Sequence, residues 1–165
     1  MSSMTRPADA VWTEPGHGYR RWEKSVLLGA GEVVWRWATA EVLRWGVKTR
    51  SGFSVTPGGP ATRGSRPVIM AHAFGLSVPE PVEVIDVVQT PERVGFAYRT
   101  LPGHPVSGEE AFIVHRDGDT VRLTIRSLTK PGSALHWRLA YPGLLVAQNV
   151  ARRRYLRALR VRAAR

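Results

Sequence analysis

Apolar and polar residues alternate most cleanly late in the chain. Val121, Leu123 and Ile125 interleave with Arg122, Thr124 and Arg126. A period of two predicts a strand with one buried and one wet face. Similar runs mark strands at Val47–Val55, Val68–Phe74, Val82–Val88, Val94–Leu101, Glu109–His115 and Thr120–Ser127. Turn signals separate several of them: Pro79-Glu80-Pro81, Thr90-Pro91-Glu92-Arg93 and Asp117-Gly118-Asp119. Tyr19–Leu28 reads as a first strand of imperfect alternation. The period then changes. Val34, Trp35, Ala38, Val42 and Trp45 recur at helical spacing, so Glu32–Trp45 is expected to be a helix that Gly46 stops. Thr56–Arg66, dense in Pro, Gly and Thr, reads as a loop.

Ser133 is placed to cap a short helix through Leu135, Trp137 and Leu139, which Pro142-Gly143 should kink or break. A longer helix is expected from about Leu144 to Val161, with Leu144, Ala147, Ala151, Tyr155, Ala158 and Leu159 as its apolar stripe. The order is strand, helix, consecutive strands, long helix. It predicts an α+β helix-grip fold, a curved antiparallel sheet of six to seven strands around a long C-terminal helix. Residues 1–18 carry Pro7, Pro15, Gly16 and Gly18 without periodicity and are expected to be a flexible segment before one domain at 19–162.

Length and composition narrow the picture. A chain of 165 residues buries roughly 70% of its extended surface, enough for a real core. Cysteine is absent, which removes disulfides, thiolate metal sites and a cysteine nucleophile. No apolar run approaches the ~20 residues of a membrane span. Met1–Trp12 lacks the apolar core of a signal peptide, so a cytoplasmic protein is expected. The net charge of +11 is lopsided: residues 120–165 hold 11 basic side chains and no acidic one. Arg152, Arg153, Arg154, Arg157, Arg160, Arg162 and Arg165 supply most of it. Arg153, Arg157 and Arg160 share a face and are the candidate anion-binding residues. A solvated basic helix explains the same pattern.

Candidate chemistry centres on Gly95–Phe112, GFAYRTLPGHPVSGEEAF. His104 sits in a stiff Pro-Gly-His-Pro turn and has a pKa suited to acid–base work. Glu109 and Glu110 open the next strand. Adjacent strand residues face opposite ways, so only one glutamate can point inside. The other is expected to meet solvent or an arginine such as Arg99, Arg122 or Arg126. His104 with Glu109 or Glu110 forms the candidate catalytic set, and Tyr98 adds a hydroxyl. The histidines show no metal-ligand spacing, no cofactor motif is present, and no serine sits in a nucleophile elbow. Gly29-Ala30-Gly31 lacks the further glycine and lysine of a phosphate loop and reads as a tight turn.

The same segment resembles the signature of an uncharacterised family of bacteria and plants, domain of unknown function nineteen-ninety. Leu28-Gly29-Ala30-Gly31 with Trp45 resembles that family's Gly-x-Gly helix and terminal Trp. Gln148 and Arg153-Arg154-Tyr155-Leu156-Arg157-Ala158-Leu159 resemble its ending, so the likeness runs from about Tyr19 to Arg160. Arg99 departs from the family's usual small residue, and Thr129-Lys130-Pro131 from its Ser-Arg-Pro. An inward Arg99 would make a pocket smaller or more polar. The resemblance carries no activity. It implies kinship with helix-grip, START-like (Bet v 1-like) ligand-binding proteins.

The leading expectation is a protein that holds an apolar or aromatic small molecule between the sheet and the C-terminal helix. Trp35, Phe96, Tyr98, Arg99, Phe112, Leu123, Leu144 and Tyr155 are its expected contacts. The alternatives are an enzyme on this scaffold (a cyclase, hydrolase or isomerase) using His104 and a glutamate, and a binder of nucleic acid or an anionic surface through the arginines.

Overall fold

The computed structural model describes residues 2–13, 16, 18–73 and 75–161. His17, Phe74, Arg162 and Arg165 lie outside the described residues. Among the described residues, seven strands and three helices follow one another: β1 (Arg20–Ala30), α1 (Glu32–Leu43), α2 (Gly46–Thr49), β2 (Phe53–Thr56), β3 (Val68–Ala73), β4 (Leu76–Gln89), β5 (Arg93–Thr100), β6 (Val106–Asp117), β7 (Thr120–Pro131) and α3 (Leu135–Ala158). The strands form a curved antiparallel sheet in the order β1-β7-β6-β5-β4-β3-β2, with the long helix α3 last in the chain. This is the expected α+β helix-grip architecture.

Three elements differ from the sequence reading, each for a local reason. Val47–Val55 is not one strand. Trp45 adopts a left-handed backbone, φ 65°, and α2 follows before the chain extends at Phe53. Burial of the Trp45 ring, edge-on to Phe96 at 4.5 Å, offsets the cost of that conformation. Pro79-Glu80-Pro81 is not a turn but part of β4. Pro79 and Pro81 pair opposite Met70 and Val68, while pairing with β5 starts only at Val82. Their missing N–H groups fall on a stretch of edge with no ladder to complete. Finally, Leu135–Ala158 is one continuous helix with Pro142 inside it and Ala134, not Ser133, at its N-cap position. Pro142 is exposed, so water can satisfy the carbonyl it leaves unpaired.

The concave face carries the main core, including Phe96, Phe112, Leu123, Ile125 and Tyr155, closed on one side by Trp35, Ala38 and Val42 of α1. Gly108 permits the close approach of β6 to β7. Its φ is 149°, and a β-carbon there would overlap the Leu128 carbonyl oxygen.

The convex face has a smaller cluster, Ala97, Ala111 and Ile113. The N-terminal segment, expected to be loose, has a specific seat on this side. Arg126 is 1% exposed. Its guanidinium donates to the carbonyls of Thr5, Arg6, Asp9 and Ala10 and to the Glu23 carboxylate. Arg93 donates to the carbonyls of Pro7 and Asp9.

Candidate functional site

Register brings a polar row across the concave face. Tyr98 lies opposite Glu110, Glu110 opposite Ser127, and Ser127 opposite Trp22. The short helix α2 lowers Lys48 onto this row, and α3 lowers Arg152 and Tyr155. Lys48 Nζ lies 3.3 Å from Glu110 Oε1 and donates to the Tyr155 hydroxyl at 2.6 Å. The Tyr98 hydroxyl donates to the same Glu110 oxygen at 2.5 Å. Arg152 donates through Nη2 to Ser127 Oγ at 3.2 Å and stacks over Trp22 at 4.3 Å.

Aromatic rings enclose the ammonium. Lys48 Nζ stands 4.7 Å from the centres of both Phe53 and Tyr155, and within 6 Å of Tyr98 and Phe112. Burial by itself lowers the affinity of Lys48 for its proton. Glu110, then Tyr155, Tyr98 and Glu80, override it and hold the pKa well above the usual lysine range. Burial and the Glu110 charge push both tyrosine hydroxyls up, against the pull of Lys48.

Glu80 and His104 border the cluster, with His104 Nε2 3.8 Å from Glu80 Oε2. Burial, then the Lys48 charge, lowers the His104 pKa to about 3, so its ring is neutral. The Val106 N–H donates to Nδ1, which leaves the ring proton on Nε2, towards Glu80. Burial raises the Glu80 carboxyl, and Glu110 adds to the rise against Lys48.

Three buried polar atoms find no hydrogen-bond partner among the described residues: Thr129 Oγ1, Gln148 Oε1 and Arg152 Nε. Thr129 follows Ser127 on the concave face of β7, and Gln148 lies one turn before Arg152 on α3. None of Leu135–Val150 is fully buried; Trp137, Tyr141, Leu144, Leu145 and Gln148 are half-buried, in one stripe. The roof over this part of the sheet is thin. Around Tyr155 the space is occupied, because its ring packs 5.6 Å from Phe112 and 5.8 Å from Phe53.

The residues expected to line a ligand space divide accordingly. Phe96, Tyr98, Phe112, Leu123 and Tyr155 are buried on the concave side, and Leu144 is half-buried in the α3 stripe. Trp35 is buried on α1, with Arg116 stacked 4.4 Å from its ring. Arg99 does not face inward: it is paired with Glu83, since position 99 alternates with the interior positions 98 and 100. The two glutamates separate as strand geometry requires. Glu110 enters the interior cluster, whereas Glu109 accepts hydrogen bonds from Ser3 Oγ, Thr5 N and Thr5 Oγ1 on the convex face. Glu109 therefore cannot act together with His104.

Arg153, Arg157 and Arg160 line an outer groove of about 430 Å³ between α3 and β1, joined there by Lys24. Lys48, Glu80 and Arg152 were not anticipated. Lys48 sits in a stretch that reads as a strand, Glu80 in one that reads as a turn, and Arg152 in a run of three arginines. The available signal was the rarity of lysine, three against 21 arginines.

Comparison with known proteins agrees with this architecture. A protein of Deinococcus radiodurans described as UPF0548 protein is 34% identical over 153 residues, 84% of this chain and 75% of the relative. A hypothetical protein of Helicobacter pylori superposes with a TM-score of 0.63 at 13% identity, over 96% of this chain and 95% of that one. The structure of Ara h 8.0201, a Bet v 1-like fold, superposes with a TM-score of 0.52 at 6% identity, over 86% of this chain and 98% of that one. At such identities the structures speak for the fold alone. The profile described as Domain of unknown function (DUF1990) matches residues 6–158, and the chain belongs to that family.

Proposed function

We propose that the protein binds a small molecule with an apolar or aromatic body between the sheet and the first half of α3. The polar end of the ligand meets Arg152, Thr129 and Gln148, beside the Lys48–Glu110 pair. One observation carries this reading: three buried polar atoms lack partners among the described residues, Thr129 Oγ1 on β7 and Gln148 Oε1 and Arg152 Nε on α3, where its half-buried first part gives way to its buried second part. A buried donor or acceptor left unpaired costs about 1–3 kcal/mol. A ligand with a matching polar group removes that cost, while its body removes apolar surface from water at roughly 25 cal/mol per Å². The Bet v 1-like fold is compatible with ligand binding of this kind.

Native mass spectrometry of the freshly purified chain, with titration by the fluorescent probe 1-anilinonaphthalene-8-sulfonate, tests it. The expected result is one bound small molecule, or one-to-one probe binding that Arg152→Gln and Thr129→Val weaken while the circular dichroism spectrum stays unchanged. No adduct together with no probe binding would sink it.

A second reading is acid–base chemistry on such a ligand. What favours it is the perturbed ionisation of His104, Glu80 and Lys48 within one cluster, a frequent mark of functional sites. In this reading Glu110 exchanges the proton with the ligand, Tyr98 orients it, and the neutral His104 ring offers its Nε2 hydrogen. Full turnover by Glu110→Gln, in an assay that detects turnover by the unaltered chain, removes it.

A further inference from the structure

The outer groove has its own chemistry, independent of the interior cluster. Lys24, Arg153, Arg157 and Arg160 line it, with Leu27 and Leu156 among its apolar residues and no carboxylate in its walls. None of the four cations makes an ion pair or side-chain hydrogen bond among the described residues. Glu23, the acid next to Lys24, is committed elsewhere, bonded to Arg126 at 2.6 Å. The groove runs along β1, an edge strand of the sheet, which among the described residues pairs with β7 alone. Its outer edge presents backbone N–H groups without strand partners.

Two ordinary explanations cover only part of this. A basic residue in the last turn of a helix complements the helix dipole, which accounts for Arg157. It does not account for Lys24, on another element, or for Arg153, more than a turn earlier. Surface arginines for solubility need no shared groove. Like charges four residues apart, as at 153 and 157, disfavour a helix slightly.

We propose that this groove is a binding site for a phosphate monoester carrying a short apolar group. A phosphate brings nearly two negative charges and three acceptor oxygens, enough to engage several cations and edge N–H groups together. A carboxylate would leave more of the repulsion in place. Leu27, 52% exposed, and Leu156 give the apolar group a wall to cover. The volume, about 430 Å³, falls within the small-ligand range.

The test is isothermal titration calorimetry on the full chain with hexyl phosphate, inorganic phosphate and hexanol. Amide NMR shifts at Lys24–Leu27 are read in parallel. Hexyl phosphate is expected to bind one-to-one, more tightly than either fragment, and to move those amides. Lys24→Gln and Arg157→Gln should each weaken it about fivefold. Leu27→Ser should bring it down to the affinity of inorganic phosphate. Arg138→Gln, an exposed arginine outside the groove, should leave it unchanged. The proposal fails if hexyl phosphate binds no better than inorganic phosphate, or if Arg138→Gln does the same damage as Arg157→Gln. It also fails if only phosphatidylglycerol vesicles or single-stranded DNA bind and the free ester does not. Thermal melts of each variant separate lost binding from lost folding. Arg152→Gln, which probes the interior, should not alter hexyl phosphate binding.

Discussion

The Lys48 ammonium is enclosed by aromatic rings and shares its site with the Glu110 carboxylate. Lys48 and Glu110 are both under 10% exposed. Removing one leaves the other buried and uncompensated, at a cost of about 3–5 kcal/mol. Lys48→Met should therefore lower stability by that amount in urea denaturation. The double change Lys48→Met with Glu110→Leu should recover most of it, because a matched apolar pair avoids desolvating two charges. His104 gives a pH dependence of definite sign. Its folded-state pKa is about 3 against the ordinary 6.5. Below 6.5 the unfolded chain binds the proton and the folded chain does not, so stability falls as pH drops from 6.5 towards 3. The expected loss is about 2 kcal/mol by about pH 5. Glu80, whose carboxyl is raised, works in the opposite direction in the same range. Urea midpoints across this range should show the fall, and His104→Asn should flatten it. At this scale the sequence was legible where strand alternation applies. Opposite facing of Glu109 and Glu110 followed from their adjacency alone. The partner of Glu110 did not, because Lys48 is 62 residues away and reaches it through a left-handed turn that no local pattern announces.

The elements differ in how firmly they are held. α3 buries only Arg152 and Tyr155, both in its second half. Native-state hydrogen exchange should therefore be faster over 135–150 than over 151–158. Pro142→Ala should slow it in the first half, by restoring a helical hydrogen bond worth about 1 kcal/mol. On the opposite face, the N-terminal segment hangs on Arg126. The guanidinium's planar fork serves five acceptors; a lysine has three donors and no fork. Arg126→Lys should cost about 2 kcal/mol, a fall of roughly 4–8 °C in Tm by calorimetry. Most element types were readable from periodicity, since a sheet with one buried face imposes a period of two. The departures fall where tertiary context overrides a local rule: prolines on an unpaired stretch of edge, a proline on the wet side of a helix, and a tryptophan whose burial supports a left-handed backbone.

Across the whole molecule the charge excess separates into two populations. Arg126 and Arg152 are inside, bonded to carbonyls, carboxylate or hydroxyl. Lys24, Arg153, Arg157 and Arg160 are outside and unpaired among the described residues. At a net charge of +11 the outer set repels itself, and salt screens that repulsion. Raising ionic strength from about 0.01 M to 0.15 M should raise Tm by about 2 °C in a thermal melt. Among the described residues, no helix is long and apolar enough to cross a membrane. The sequence by itself determined the helix after the first strand, the antiparallel meander, a long helix at the end and the sign and location of the excess charge. Those follow from periodicity and composition, which act between near neighbours. Tertiary structure alone decided which charges meet. Adjacent arginines on one helix became a buried hydrogen-bond donor and an open groove wall, because a turn of about 100° per residue sends neighbours to different surroundings. It also decided that a lone lysine would stand at the centre of the interior, where burial makes one charge pair count for more than many at the surface.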